Sequence, residues 1–279
     1  MTRRWVAGAF AVGLGLSLAD PAAAADLRIA TEGAYPPWNS VDSSGQLIGF
    51  ELDLARNLCE RMQVECEIVV QDWDGIIPGL LAGRYDAIMA GMSITDERRQ
   101  SIAFSHAYAN TPIAFAALKG SDLESLDVGT DKINFAEPSP ELDAAVAKMK
   151  EAFDGLTIGA QVSTTHQNLV QEYFGDVAEI RTYDTMDNMA LDLGSARIDA
   201  GISELDFIRS VMDNNPDVVV VGPNMSGGPL GEGVAAGLRK DDTELVEKFN
   251  AAIEAAKADG TIKTLGEQWF RGIDVTPQS

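Results

Sequence analysis

The chain has 279 residues, 43 acidic against 21 basic, with two histidines and two cysteines, for a formal charge of −22 at pH 7. That charge argues against nucleic acid or an anionic membrane surface as a partner, and two His with two Cys cannot assemble a Cys/His metal cluster. The length allows one large domain or two lobes of ordinary size.

In chain order, Arg3 and Arg4 precede an apolar stretch over 5–18 that is too short to span a bilayer as a stable helix. Asp20 and Pro21 break it, and Ala23-Ala24-Ala25 supplies a small-residue cleavage pattern. Residues 1–25 therefore read as a signal peptide, with an exported mature chain beginning at Asp26. Without Arg3, Arg4 and Asp20 the mature chain keeps 19 basic and 42 acidic residues, a charge of −23. Residues 27–30 read as a first strand. Phe50–Met62 reads as an amphipathic helix, with Leu54, Leu58 and Met62 at four-residue spacing. Strands are expected at Cys66–Val70 and 87–89, a helix at 76–82, and a short apolar segment at 102–104. Cys59 and Cys66 are a close pair in an oxidising compartment, so a disulfide is expected. It would pin the end of the helix to the next strand and contribute roughly 2–3 kcal/mol. No EF-hand spacing appears, though carboxylate sites for calcium remain open.

A second set follows: a strand at 157–162, a helix at Thr165–Phe174 with Thr164 or Thr165 as N-cap, a weaker strand at 178–182, and a helix at 185–193. Strands are expected at 198–202, 218–221 and 234–238, with closing helices at Thr243–Ala258 and 261–270. Residues 141–153 form an extra helix without site residues. Alternating strands and helices argue for an α/β fold. One echo suggests two similar lobes. Arg84-Tyr85-Asp86-Ala87 and Arg197-Ile198-Asp199-Ala200 each lead into a polar strand tip, Gly91-Met92-Ser93 and Ser203-Glu204. In open α/β sheets such tips face the ligand cleft. Arg98, five residues past Ser93, could clamp a carboxylate, although from this segment alone a surface Arg, paired with Asp96 or Glu97, is the favoured reading.

Several runs together resemble a known family. Gly49-Phe50-Glu51-Leu52-Asp53-Leu54, then Leu58, Cys59 and Met62, match the signature of bacterial periplasmic solute-binding proteins for polar amino acids. Ser93 to Arg98, followed by Ile102-Ala103-Phe104-Ser105, matches that family's anion-binding segment. The runs from Arg61 to Cys66 and from Gly237 to Leu245 are similar to the lysine/arginine/ornithine-binding branch. Those from Ile29 to Gly33, Pro37 to Asn39, Asp72 to Gly75, and the ending from Gly260 to Gln278 are similar to the octopine- and nopaline-binding branch. The resemblance covers essentially the whole mature chain.

It implies a type II periplasmic-binding-protein fold, α/β and two-lobed, with the second lobe inserted in the first through two crossing hinge strands. Lobe 1 would comprise 26–110 and 224–279, lobe 2 111–223, with hinges near 110–112 and 222–225. It also implies a monomer that serves an inner-membrane ABC permease, with no cofactor, metal or catalytic residue. Carried over by motif, Arg98 would grip the ligand α-carboxylate, helped by the Thr165 hydroxyl and the backbone at Gly91, beside Ala90, Met92 and Ser93. Tyr35 and Trp73 match the aromatic pair that sandwiches the ligand side chain, and Glu32 the acidic group that meets a distal cation. Glu204, after Ser203, stands where basic amino-acid binders commonly place an Asp on the α-amino group. Ala90 and Gly91 replace serines, which would widen the pocket, and Ser163 replaces a glycine before Thr165.

The expected function is capture of a cationic amino acid, arginine-like first, with lysine, ornithine or an opine as alternatives; the wider pocket leaves room for an opine, while Glu204 argues for a free α-ammonium. Related folds include cyclohexadienyl dehydratases. For such an enzyme only Glu204 and His166 are tempting acid–base groups, and His166 reads as a surface helix residue.

Overall fold

The computed structural model describes residues 1–2, 25–271 and 275–277, so the expected signal peptide over 3–24 lies outside the described residues. The first lobe begins with β1 (Leu27–Thr31), then a small sheet of β2 (Ala34–Tyr35), β3 (Asn39–Val41) and β4 (Leu47–Ile48). It continues through α1 (Phe50–Met62), β5 (Cys66–Val70), α2 (Ile76–Leu81), β6 (Ala87–Ile88), α3 (Asp96–Arg99) and β7 (Ala103–Phe104). The chain then crosses to β8 (Ile113–Leu118), β9 (Lys132–Asn134), α4 (Pro140–Phe153), β10 (Thr157–Gln161) and α5 (Thr165–Phe174). The second lobe is completed by β11 (Glu179–Tyr183), α6 (Met186–Gly194), β12 (Ala200–Glu204), α7 (Leu205–Asn214) and β13 (Val218–Ser226). A return crossing leads to β14 (Gly237–Leu238), α8 (Thr243–Ala258) and α9 (Thr261–Trp269). Among these helices none is long and apolar enough to cross a membrane.

Two sheets result, ordered β5-β1-β6-β14-β7 and β11-β10-β12-β8-β13-β9. In each, a parallel trio is built alike: β1 lies between β5 and β6, and β10 between β11 and β12. The Arg-apolar-Asp-Ala echo marks this equivalence. Asp86 accepts the backbone N–H of Arg28 at 2.9 Å, and Asp199 accepts that of Thr157 at 2.8 Å. Each Asp thus ties the start of its lobe's third parallel strand to the first strand. The Asp of the echo does one structural job twice.

The first lobe closes around Trp38, Phe50 and Phe270, with ring centroids 5.0–5.9 Å apart. The second packs Phe115, Phe153 and Phe174 edgewise between its helices and sheet. Such offset and T-shaped aromatic pairs are favoured over face-to-face stacks. The crossing segments bridge each other, Ala109 pairing with Val234. Of the strand expected at 234–238, only Gly237 and Leu238 join the sheet, because Val234 is taken by this bridge. Residues 222–225, expected as the second hinge, lie within β13: Asn224 and Met225 pair with Lys132 and Ile133. Gly222, at φ 66°, marks the irregularity between Val221 and Met225, and the chain leaves the sheet only after Ser226.

The helix α1 ends at Gln63 in the left-handed conformation, and Cys59 in its last turn is bonded to Cys66 at the start of β5. The seven-residue separation closes a short loop. Reduction should therefore cost roughly 2–3 kcal/mol. Thermal unfolding with and without dithiothreitol should differ by about 5–10 °C for a chain of this size, and coincident curves would show that the bond adds nothing.

Candidate ligand-binding site

The tips of β6 and β12 face each other across the gap between the lobes. Around them a closed cavity is lined by Glu32, Tyr35, Trp73, Ala90, Gly91, Ser93, Arg98, Gln161, Thr164, Thr165, His166 and Glu204. Nine of the eleven residues singled out in the sequence converge here. The other two do not line it. Met92 is fully buried in the lobe 1 core, where its sulfur packs near Gly237. Ser203 is fully buried behind Tyr35, and their hydroxyls are 3.1 Å apart.

The lobes are shut on this cavity, which retains about 20 Å³, room for roughly one water. A much larger recess of about 660 Å³ lies behind the crossing strands, near Asn110, Thr111, Asn224 and Met225. The small cavity is nevertheless the chemically loaded one, because it gathers charges that the protein itself leaves uncompensated.

Arg98 sits on the single-turn helix α3, which Thr95 caps by accepting the Arg98 N–H. Its guanidinium donates to the carbonyls of Ser93 at 2.9 Å and Ser163 at 3.4 Å, and lies 5.2 Å from the Trp73 ring centroid. Among the described residues, no carboxylate forms an ion pair with it. Desolvation pulls its pKa down to about 10, still leaving it cationic at neutral pH. The alternative of a surface ion pair with Asp96 or Glu97 is therefore not what the geometry shows. Asp96 instead faces Arg99.

Across the cavity Glu32 is buried and, among the described residues, forms no ion pair with a cation. One carboxylate oxygen accepts the Gln161 side-chain amide at 2.6 Å, and Gln161 also donates to the Asp184 carbonyl. Burial, with Asp187, Asp72 and Glu51 nearby, pushes Glu32 up to about 7. The aromatic residues are fixed by the opposite lobe. The Trp73 indole donates to the Ser163 carbonyl at 3.2 Å, and Tyr35 lies 5.3 Å from Phe207. Trp73 thus stacks on the protein's own Arg98 as well as facing the cavity.

The threonine pair separates by role. Thr164 is the N-cap of α5: its hydroxyl accepts from the Gln167 N–H and donates to the Gln161 carbonyl. Thr165, on the first turn, is left to the cavity, at a helix N-terminus suited to an anion.

Three expectations need correction. The Gly91 N–H is not offered to the cavity, because both oxygens of the buried Glu51 carboxylate accept it, at 2.8 and 2.9 Å. Nor does Gly91 exist to widen the pocket. Its φ is 65°, a conformation that disfavours side chains, and a Cβ there would stand 3.2 Å from the Tyr35 ring. His166 is not a surface residue either. It is 4% exposed, in the first turn of α5, with Nε2 3.3 Å from a Glu204 carboxylate oxygen. The helix turns its N-terminal face to the opposite lobe, which buries positions that read as solvent-facing in isolation. Gln161 was missed for a related reason: it is the last residue of a strand, and only closure brings it to Glu32.

The comparisons with known proteins agree with this architecture. Residues 27–272 match the model of the bacterial extracellular solute-binding proteins, family 3. The chain belongs to that family. Among family members, it is 39% identical to an octopine-binding periplasmic protein of Rhizobium meliloti, over 90% of this chain and 92% of the relative. It is 35% identical to an L-arginine-binding protein of Pseudomonas aeruginosa, over 94% of each. A solved family structure, a periplasmic His/Glu/Gln/Arg/opine family-binding protein from Silicibacter pomeroyi in complex with lysine, has a TM-score of 0.72 at 32% identity, covering 90% of this chain and all of that one. These relatives place the family's two-lobed fold on the whole described chain.

The positioning of the β6 tip depends on Glu51. Besides Gly91, its carboxylate accepts from the Tyr108 hydroxyl and from the Asn39 amide at 2.8 Å. Replacing Glu51→Ala would strand three buried donors, each costing on the order of 1–3 kcal/mol. A urea unfolding midpoint equal to that of the parent protein would show that these bonds do not hold the site.

Proposed function

We propose that this protein captures, in the periplasm, a small molecule carrying an α-carboxylate at one end and a cationic tail at the other, and delivers it to an inner-membrane ABC importer. The supporting observation is the pair of uncompensated charges in one closed cavity: Arg98 without a carboxylate and Glu32 without a cation. A ligand with an arginine skeleton supplies both partners. Its carboxylate meets Arg98 and the Thr165 hydroxyl, its alkyl chain passes Tyr35 and Trp73, and its guanidinium reaches Glu32. Guanidinium fits better than a lysine ammonium, because its planar fork can use Glu32 and the Gln161 carbonyl oxygen together. The arginine- and octopine-binding relatives support the same skeleton.

With so little room in the closed form, ligand entry requires the lobes to part. We place the hinge at the crossing segments, 109–112 and 227–234, rather than inside β13. Closure then removes water from both charged contacts and strengthens them. An enzymatic reading is supported less well. One structural neighbour is an ancestral amino-acid-binding protein described as a precursor of cyclohexadienyl dehydratase, but the Glu32 end suits a cationic tail and not a neutral ring.

A cation uses Glu32 only when that carboxylate is ionised, and Glu32 is pushed up to about 7. Below that pH a bound cation must displace a proton. Affinity should therefore level off above about pH 8 and weaken by up to about tenfold per unit as the pH falls below 7. Calorimetry of the unfolded-and-refolded protein with L-arginine between pH 5.5 and 8.5 checks this. Glu32→Gln should abolish the Glu32 part of the slope and weaken binding roughly 100-fold, as for losing one partner of a desolvated charge pair. Arg98→Ala should remove binding without unfolding the protein. Affinity unchanged in both variants, or binding confined to acidic ligands, would sink the reading.

A further inference from the structure

An outer recess of about 420 Å³ adjoins the ligand cavity and shares Trp73, Arg98 and Thr165 with it. Ser163, in the turn from β10 into α5 on lobe 2, lines the recess but not the cavity. It stands at the partition between them. Its carbonyl accepts the Trp73 indole N–H at 3.2 Å and an Arg98 N–H at 3.4 Å. Its hydroxyl donates to an Asp74 carboxylate oxygen at 2.8 Å. All three partners belong to lobe 1, whereas Gln161 reaches that lobe through a bond to Glu32 alone.

The backbone of Ser163 is a second observation. Its φ is 59°, in the left-handed region that disfavours a side chain. A glycine would sit there at no steric cost, but it has no hydroxyl for Asp74. Inside its own lobe the Ser163 N–H donates to the Gln167 side chain at 2.7 Å. Every polar group of the residue is thus engaged, and the hydroxyl and carbonyl are engaged with the opposite lobe. A strained conformation persists where surrounding contacts over-determine it, and here those contacts cross the gap between the lobes.

We propose that Ser163 is a latch. With Asp74, Trp73 and Arg98 it holds the lobes together and closes the partition between the ligand cavity and the outer recess. It therefore sets how long a ligand is retained and not which ligand is recognised. The part that concerns retention rests on the reading of an arginine skeleton captured by parting lobes. The latch itself is made of the protein's own groups and acts whether or not a ligand is bound. Two of its bonds have a charged partner, Asp74 or Arg98, which is the stronger class of hydrogen bond. Ser163 and Asp74 are exposed, so water competes for their bond and its removal has a moderate effect.

Distances between spin labels on Gln100→Cys of lobe 1 and Glu172→Cys of lobe 2, both exposed positions, test the latch without ligand. The two native cysteines are bonded to each other, so only the added thiols take label. The ligand-free protein should show a short and a long distance, and Ser163→Ala should lower the short-to-long ratio about three- to tenfold. Asp74→Ala should do the same, and the double variant should lose little more, because both changes remove one bond. Ser163→Gly should open the lobes like Ser163→Ala yet melt no lower than the parent protein by circular dichroism, since it also sheds the backbone cost. A merely structural role would move both readouts together. In stopped-flow experiments L-arginine should leave Ser163→Ala faster by the same factor, with association within about twofold of the parent. An unchanged ratio in folded Ser163→Ala, additive losses in the double variant, or a ligand-free parent showing the long distance alone overturns the latch. Failure of L-arginine to bind the parent, with the ratios shifting as stated, supports the latch and removes the arginine-skeleton reading instead.

Discussion

The buried carboxylate of Glu51 is the interaction on which the site depends. It lies in the first turn of α1, yet its partners come from three other segments: Asn39 in the small sheet, Gly91 at the tip of β6, and Tyr108 on the first crossing segment. A carboxylate out of water is tolerated only when hydrogen bonds replace hydration, and here every partner is a donor. Burial raises the Glu51 pKa, while bonds from Tyr108, Gly91 and Asn39 oppose the rise. Because Tyr108 directly precedes the bridge of Ala109 to Val234, the carboxylate that holds the β6 tip also ties it to the crossing between the lobes. Lobe 1 can therefore act as a rigid jaw whose strand tip keeps its shape while the other lobe moves.

The opposite jaw reaches this tip through polar contacts of a different kind. Gln161 to Glu32, Ser163 to Trp73 and to Asp74, and Tyr35 to Ser203 all span the lobes. Each is a single hydrogen bond that water can replace when the lobes part, so each costs little to break. The contacts inside the jaws are of the costlier sort, with apolar side chains and buried carboxylates. The seam is not wholly polar, since Tyr35 also packs against Phe207, but its hydrogen bonds gather around the cavity between the lobes.

Much of this was legible in the sequence because it rests on local rules. The helix α1 and the strand β5 fall where four-residue apolar spacing and the Cys pair put them. The repeated Arg-apolar-Asp-Ala core foretold two like lobes because the Asp performs a backbone-capping task that the topology needs twice. What escaped notice lacked a local signal. The strand β8, Ile-Ala-Phe-Ala-Ala-Leu, is central in its sheet and almost wholly buried, so it shows no alternation to read. The helix α7 begins directly at Glu204, the last residue of β12, with no turn residue between them. Met92 and Ser203 neighbour site residues in sequence, but Met92, past the end of β6, turns into the core, and alternation along β12 puts Ser203 behind Tyr35.

His166 shows the deeper limit. On a helix read alone, a histidine in the first turn faces water, and nothing in its neighbours contradicts that. Its burial is a property of two lobes meeting, as is the pairing of Glu32 with Gln161. Arg98 and Glu32, both on lobe 1, can be singled out from motifs on that lobe alone. His166 on α5 and Glu204 at the end of β12 belong to one lobe, and what the meeting of the lobes adds is Arg98, which faces His166 across the shared cavity. The residues of a cavity between two lobes are therefore the ones that sequence patterns describe least.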